Sequence, residues 1–385
     1  MNAPEPAAAL QSEPTPGGAT GTTHSADPFV HHAPIAARID WLFRLADRHG
    51  QAFRGPDSWL ARERYLARHP TAVAALKCMD GRVNLSVATQ TPVGILMPFR
   101  NLGGMFNLGW PHLGEILTQY VMDRVREGRR VLLLITYHWS RGDPLRGCAG
   151  FHYNREASMA HAWAIREQVR QLFGQDSSTV YPLVCGFETD QEALLLHSAH
   201  GQSLNMADEG TGATHEELQQ QVAALLPDMP GPMRADLLPL LQGNLRHVAH
   251  LRTLAERRER DLVTEHREWA ICLGRGFDFL HTPNTALIVG PYSPDLAHPI
   301  RTAAQIIQDN MKQGRIPDDG FLLLASVPYD TLGVERARAE LKARFMGQFA
   351  AGVIAEAFPA LAERMHRHTA VLDWSARRLE FVSPT

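Results

Sequence analysis

Lysine and cysteine are scarce in this chain, an excess of charge of either sign is nearly missing, and no hydrophobic run is long. Lysine stands only at 77, 312 and 342, so arginine carries almost all the positive charge; that reads as codon usage in a GC-rich genome rather than as chemistry. Four cysteines spread over 385 residues do not make the disulfide framework of a small secreted domain, so they read as thiols or metal ligands. A formal charge of −3 lacks the basic excess of a nucleic-acid binder, and no nucleic-acid partner is expected. The apolar run Val131–Ile135 has the length of a buried strand. None approaches the ~18 residues of a membrane span, so no membrane partner is expected either. The opening MNAPEPAAALQSEPTP has neither the basic nor the apolar region of a secretory signal, which gives a bacterial cytoplasmic location as the expectation.

What is present reads as an α/β protein in several parts. Residues 1–34 are rich in Ala, Pro, Gly, Thr and Ser and read as a disordered tail. Residues 35–69 place Ile39, Trp41, Leu42, Leu45 and Ala46 at helical spacing and predict an α-helical arm. From 70 to 202 short apolar strands alternate with longer amphipathic helices, the pattern of a mostly parallel sheet. Residues 203–265 read as a polar linker followed by a long helix. Residues 266–385 form a second α/β stretch that repeats the first. ALKCMDGRVNL (75–85) matches WAICLGRGFDFL (269–280) when Gly81-Arg82 is set on Gly274-Arg275. The strand at 94–100 then falls near 286–292, and the helix and strand of 114–138 near 303–329, with an offset close to 190–193 for the three matches. In this alignment Ile271 takes the place of Cys78 and Leu273 that of Asp80, so the second copy is expected to bind no metal.

Three strands of the first copy end in chemically distinctive segments, at the carboxyl edge where open α/β sheets place their ligands. The first is Cys78-Met79-Asp80-Gly81-Arg82. The second is Arg100-Asn101-Leu102-Gly103-Gly104, directly after the strand GILMP. The third holds His138 and Cys148 within TYHWSRGDPLRGCAG. Two thiolates and one imidazole converging there leave a fourth position open, the arrangement of a catalytic zinc. Cys185 and Cys272 sit inside strands and read as core residues, the usual fate of a free cysteine.

C-x-D-x-R, then R-N-x-G-G about twenty residues later, then H…C after the next strand and helix resembles the β-class carbonic anhydrases. The nine residues between His138 and Cys148 exceed the spacing of ordinary members. The longer loop HWSRGDPLRGCAGF and the stretch VCGFETDQEALLLH (184–197) resemble instead the carboxysomal shell branch, formerly called ε-class. That branch has a helical arm, a zinc-bearing α/β domain and a degenerate copy of it. The resemblance covers roughly residues 35–382, with its specific motifs within 78–148 and 184–197.

The resemblance implies Zn²⁺ held by Cys78, His138 and Cys148, and reversible hydration of CO₂ to bicarbonate by zinc-bound hydroxide oriented by an Asp80–Arg82 pair. It implies a substrate pocket walled by Arg100, Asn101, Gly103 and Gly104. Residues 70–202 would be the catalytic domain and 266–385 the copy without metal. A homo-oligomer, dimer or higher, is implied, with Rubisco or the carboxysome shell as macromolecular partner and the carboxysome as location. The arm is short and the long repetitive tail of a docking member is missing, which equally fits a free-standing bacterial relative. Two other readings use the same residues: a zinc hydrolase of carbon disulfide or carbonyl sulfide, and a non-catalytic Rubisco or shell scaffold.

Overall fold

The computed structural model describes residues 30–209, 214–256, 266–278 and 285–383. Most of the segment read as a disordered tail, and the last residues of the 203–265 linker-and-helix segment, lie outside them. The chain opens with two helices, α1 (Ile35–Arg54) and α2 (Pro56–Arg68). The first half follows: β1 (Ala72–Cys78), α3 (Leu85–Ala88), β2 (Leu96–Asn101), α4 (Pro111–Arg126), β3 (Val131–Trp139), α5 (Arg155–Phe173), β4 (Val180–Glu188), β5 (Ala193–His197) and β6 (Ser203–Asn205). Two helices, α6 (His215–Leu225) and α7 (Gly231–Glu256), lead to the second half. That half comprises β7 (Ala270–Leu273), β8 (Leu287–Val289), α8 (Ala297–Lys312), β9 (Phe321–Tyr329), α9 (Val334–Ala357), α10 (Pro359–Ala362), β10 (Met365–Asp373) and β11 (Arg378–Phe381). Among the described residues no helix is long and apolar enough to cross a membrane.

The first sheet runs β2-β1-β3-β4-β5-β6, its first four strands parallel and β5 and β6 antiparallel. Strands β1, β3 and β4 are buried throughout, as parallel strands covered on both faces must be. Ala72, Ala74, Leu76, Leu133 and Ile135 pack against Leu113 and Leu117 of α4 and Ile165 and Val169 of α5. Val73, Ala75, Leu132 and Leu134 share a core with Leu237, Leu238 and Leu241 of α7. The long helix expected beside a linker is therefore a layer of the first half. Asn244 pins it: its amide donates to Ala88 O (2.9 Å) and Glu192 O (2.8 Å) and accepts from Leu194 N (2.9 Å), so a fully buried polar group is satisfied.

The second sheet, β8-β7-β9-β10-β11, has the strand order and directions of β2-β1-β3-β4-β5. The β4–β5 and β10–β11 hairpins each close over four residues, 189–192 between Glu188 and Ala193, and 374–377 between Asp373 and Arg378. Register counted back from these hairpins corrects the sequence alignment. Trp139 lies opposite Glu188 and Tyr329 opposite Asp373; Ile135 pairs with Leu76 and Ala325 with Leu273. Leu273 therefore stands where Leu76 does, and the place of Cys78 falls on Arg275, not on Ile271. Asp80 corresponds to Phe277 rather than Leu273, and His138 to Pro328. The Gly-Arg match misled because turn geometry and strand pairing set register, not the identity of a dipeptide.

The halves meet where the edges of the two sheets approach. Gly290 N donates to Arg100 O (2.9 Å) and Ile288 N to Met79 O (3.3 Å). Tyr292 packs between Phe99 and Phe106, ring centroids 5.8 and 5.9 Å away. The arm crosses to the second half: Arg38 bonds the Asp319 carboxylate and Gly320 O (3.1 Å), and Phe43 packs edge-on against Phe381.

Behind this junction lie three charged groups with at most 1% of their surface exposed, Lys77, Arg100 and Asp278. Lys77 Nζ donates to Val83 O, while neither carboxylate oxygen of Asp278 finds a partner among the described residues. Burial pushes Asp278 up to about 7 from 3.8, against the pull of Arg100, Arg275 and Lys77. The folded chain thus holds a proton that the unfolded chain has released. Stability contributed by protonated Asp278 is present at low pH and lost as pH rises from about 4 to about 7, at about 1 kcal/mol per pH unit. The difference in unfolding free energy between the wild type and Asp278→Asn should fall across that window and level off above it. Urea titrations at a series of pH values measure it, and a flat difference would refute the assignment.

Candidate metal centre

Cys78 ends β1 and His138 is the penultimate residue of β3, the neighbouring parallel strand, so both stand at the same sheet edge. Cys148 returns to them through a short turn over Pro144–Arg146. All three are buried, and one ligand atom from each lies within 4.8 Å of the others; the group could hold a metal ion. The side chains fit one. Both ring nitrogens of His138 are buried and find no hydrogen-bond partner among the described residues, which costs on the order of 1–3 kcal/mol unless something else satisfies them. Cys148 is the more acidic thiol. The Cys78 S–H donates toward it, burial opposes this, and the backbone N–H groups of Gly150 and Phe151 add to it. Cys78, donating and buried, is raised. Cys185 and Cys272 stay in the strand interiors, where burial pushes each thiol up to about 12.

The nine-residue spacing between His138 and Cys148 is braced by the hairpin of β4 and β5. Asp190 accepts from Ser140 Oγ (2.8 Å) and Gly142 N (2.7 Å). Glu188 accepts from Arg141 N (3.1 Å), Asp190 N (3.0 Å) and Gln191 N (2.8 Å). Asp143 then caps Leu145 N at 2.9 Å. The long loop is therefore pinned by Glu188 and Asp190, both within the stretch 184–197 singled out in the sequence.

Asp80 and Arg82 form a fork beside the ligands. Arg82 donates to Asp80 from an Nη (2.7 Å), from Nε (3.1 and 3.2 Å) and from its own backbone N–H (2.9 Å). Arg82 also donates to Arg146 O (2.8 Å), tying the fork to the loop that carries Cys148. Burial opposes ionisation of Asp80, but Arg82 and then His138 hold its carboxyl well below the usual range. The second half reaches this point, which the sequence did not reveal. His266 adds to the pull on Asp80, and Glu268, 3.3 Å from the His266 ring, stabilises charged Arg82. Both residues immediately precede β7, a position that no spacing within the first half could have marked.

The expected substrate wall is only partly one. Arg100 and Asn101 belong to β2 itself and not to a loop after it. Arg100 is buried at the junction, and burial lowers its guanidinium from the ordinary value against the opposing pull of neighbouring acidic groups, Asp278 first. Asn101 donates its amide to Met105 O (2.7 Å), leaving only its carbonyl oxygen without a described partner. Gly103 and Gly104 adopt left-handed φ of +66° and +67°. A Cβ on Gly104 would stand 3.1 Å from Thr136 O and 3.4 Å from Cys78 N, so the loop lies directly on the strand ends that present the ligands.

Of the histidines near these loops, His161 accepts from Phe106 N (3.2 Å) and is lowered by burial, which occupies it structurally. His112 is exposed at the start of α4. His152, with left-handed φ, lines a cavity of about 370 Å³ together with Gly150 and with His298 and Arg301 of the second half. No protein-family model matches the chain, and no curated protein matches it.

Proposed function

We propose that this chain is a zinc carbonic anhydrase that interconverts CO₂ and bicarbonate. The observation that carries the reading is the buried imidazole of His138, without a described partner at either nitrogen, within 4.8 Å of two thiols and beside a carboxylate locked by Arg82. Cys78, His138 and Cys148 are a catalytic rather than a structural donor set, since a structural site closes with a fourth protein ligand. Zinc held by them supplies a Lewis acid that makes water nucleophilic near neutral pH.

The chain's own residues do the rest. Asp80, kept ionised by Arg82, is an acceptor-only group. An O–H beside it is turned so that its hydrogen points at the carboxylate and its lone pair away. Arg82 bonds Asp80 through Nε and one Nη and ties it to Arg146 O, so the carboxylate is held in one orientation instead of sampling several. His266, which adds to the pull on Asp80 from the boundary between the halves, is the group we assign to take up the proton that each hydration would release. The second half, with Arg275 and Pro328 at the ligand positions, supplies walls and this titratable group but no second metal.

Metal analysis together with stopped-flow CO₂ hydration tests the reading. The expected result is one zinc per chain and hydration that depends on it, with carbon disulfide and carbonyl sulfide turned over poorly. Fully zinc-loaded protein without CO₂ hydration would overturn it, and efficient hydrolysis of either sulfur compound would then name the substrate.

A further inference from the structure

Helix α9 is apolar on two opposite faces. On one, Ala339, Ala343, Met346, Ala350 and Ile354 are buried, and the helix packs on β9 and β10. On the other, Val334, Leu341, Phe345 and Phe349 are exposed, Leu341 and Phe345 at 70 and 67%, with exposed Leu332 just ahead of the helix. Steps of seven, four and four residues place the four in one stripe along the helix. Phe345 and Phe349 are already stacked on each other, centroids 6.3 Å apart and planes 18° apart. Five large apolar side chains at such exposure reach the ~300–600 Å² of the largest patch on a typical monomer. The sheet uses the other face, so this one has no role within the described fold.

We infer that α9 is the interface of a homodimer, in which two copies of the helix pack antiparallel about a twofold axis near residue 347. Such an axis pairs positions whose numbers sum to a constant. Phe345 then meets Phe349 of the second copy, and Arg338 meets Glu356. Leu341 lands at Val353, beside Gly352.

Charge and shape both select a second copy as the occupant. Exposed Arg338 lies in the first half of the helix and exposed Glu356 at its end, while the carboxylate of exposed Glu335 in the first turn is already engaged by Asp330 N and by Thr331 N and Oγ1, so the 338/356 pair complements itself when the helix is reversed. Nothing stands within 4 Å of where a Cβ on Gly352 would be, and Ala355 is exposed beside it. These small residues leave the hollow that the bulky half of the reversed copy fills. Such an isologous contact closes on itself and leaves no apolar stripe in water. The chain's own first 29 residues are a poor occupant, since Met1, Leu10 and Phe29 are their only large apolar side chains.

Sedimentation velocity on the full chain across a concentration series tests the inference. The wild type should dimerise through this face, and Phe345→Glu should weaken association at least ~10-fold in dissociation constant. Arg338→Glu should weaken it too, and adding Glu356→Arg should restore it, which a general loss of stability would not do. Crosslinking fixes the direction of packing. All four natural cysteines are buried, so a cysteine introduced on this face reacts alone. Gln348→Cys, near the axis, should oxidise to a linked dimer, whereas Val334→Cys, at the far end, should not. A wild type that stays monomeric, an assembly unchanged in mass by Phe345→Glu, or Val334→Cys linking as readily as Gln348→Cys would each overturn the proposal. Should Phe345→Glu fail to fold, the crosslinking pattern decides alone.

Discussion

Exchanging Cys148 for serine should strip the protein of its metal and abolish nearly all CO₂ hydration. Cys148 is the more acidic of the two thiols, with the Gly150 and Phe151 N–H groups aimed at it, so it is the ligand best prepared as a thiolate. A serine hydroxyl keeps the shape but stays protonated, and removes one of only three protein ligands. Loss of a partner outside the ligand shell typically costs 10–100-fold in affinity or activity, so losing a ligand should cost at least ~100-fold. Cys185→Ala and Cys272→Ala should keep the metal, since neither thiol is near it. Metal content by mass spectrometry and stopped-flow rates read the result together. Stoichiometric zinc in Cys148→Ser, with zinc lost from Cys185→Ala, would show the ligand set to be wrong.

Asp80→Asn should do the opposite: keep the zinc and lose the reaction. The amide is nearly isosteric, but one end is now a donor, and it cannot hold a neighbouring O–H in one sense. Removing a single preorganised group of this kind costs ~10²–10³-fold in turnover. Arg82→Ala should be the more damaging for the fold. It removes the main counter-charge of the buried Asp80 carboxylate, and breaking a buried pair from one side costs about 3–5 kcal/mol. The two variants should therefore separate: Asp80→Asn inactive with full zinc, Arg82→Ala inactive and markedly less stable to urea. An Asp80→Asn variant with wild-type turnover would remove the pair from the mechanism.

Several features were legible in the residues alone. The apolar runs of β1, β3 and β4 announce buried parallel strands, because strand length and continuous hydrophobicity are local properties. Cys78, His138 and Cys148 stand out because each follows or ends such a strand, and parallel strands bring their carboxyl ends to one edge. The helical arm follows from spacing within some thirty residues. The repeated order of strands in the second half was also visible, although the first of the three matches lay four residues out of register.

What only the tertiary structure decided involves residues far apart in the chain. The register of the second copy, with Arg275 and not Ile271 at the place of Cys78, depends on how β9 pairs with β7 and β10, and a shift of four residues, being even, leaves composition and alternation unchanged. Arg100 reads as a loop residue in a motif, yet it is a strand residue buried at the junction of the halves. The arm's docking on the second half rests on Arg38 and Asp319, and the approach of His266 to Asp80 on the packing of one half against the other. Side-chain type and local spacing set which elements form and which atoms are fit for a metal. Packing between elements separated by tens to hundreds of residues sets which of those atoms meet, because that choice is made by shape, burial and charge across the fold and leaves no mark in any short window of sequence.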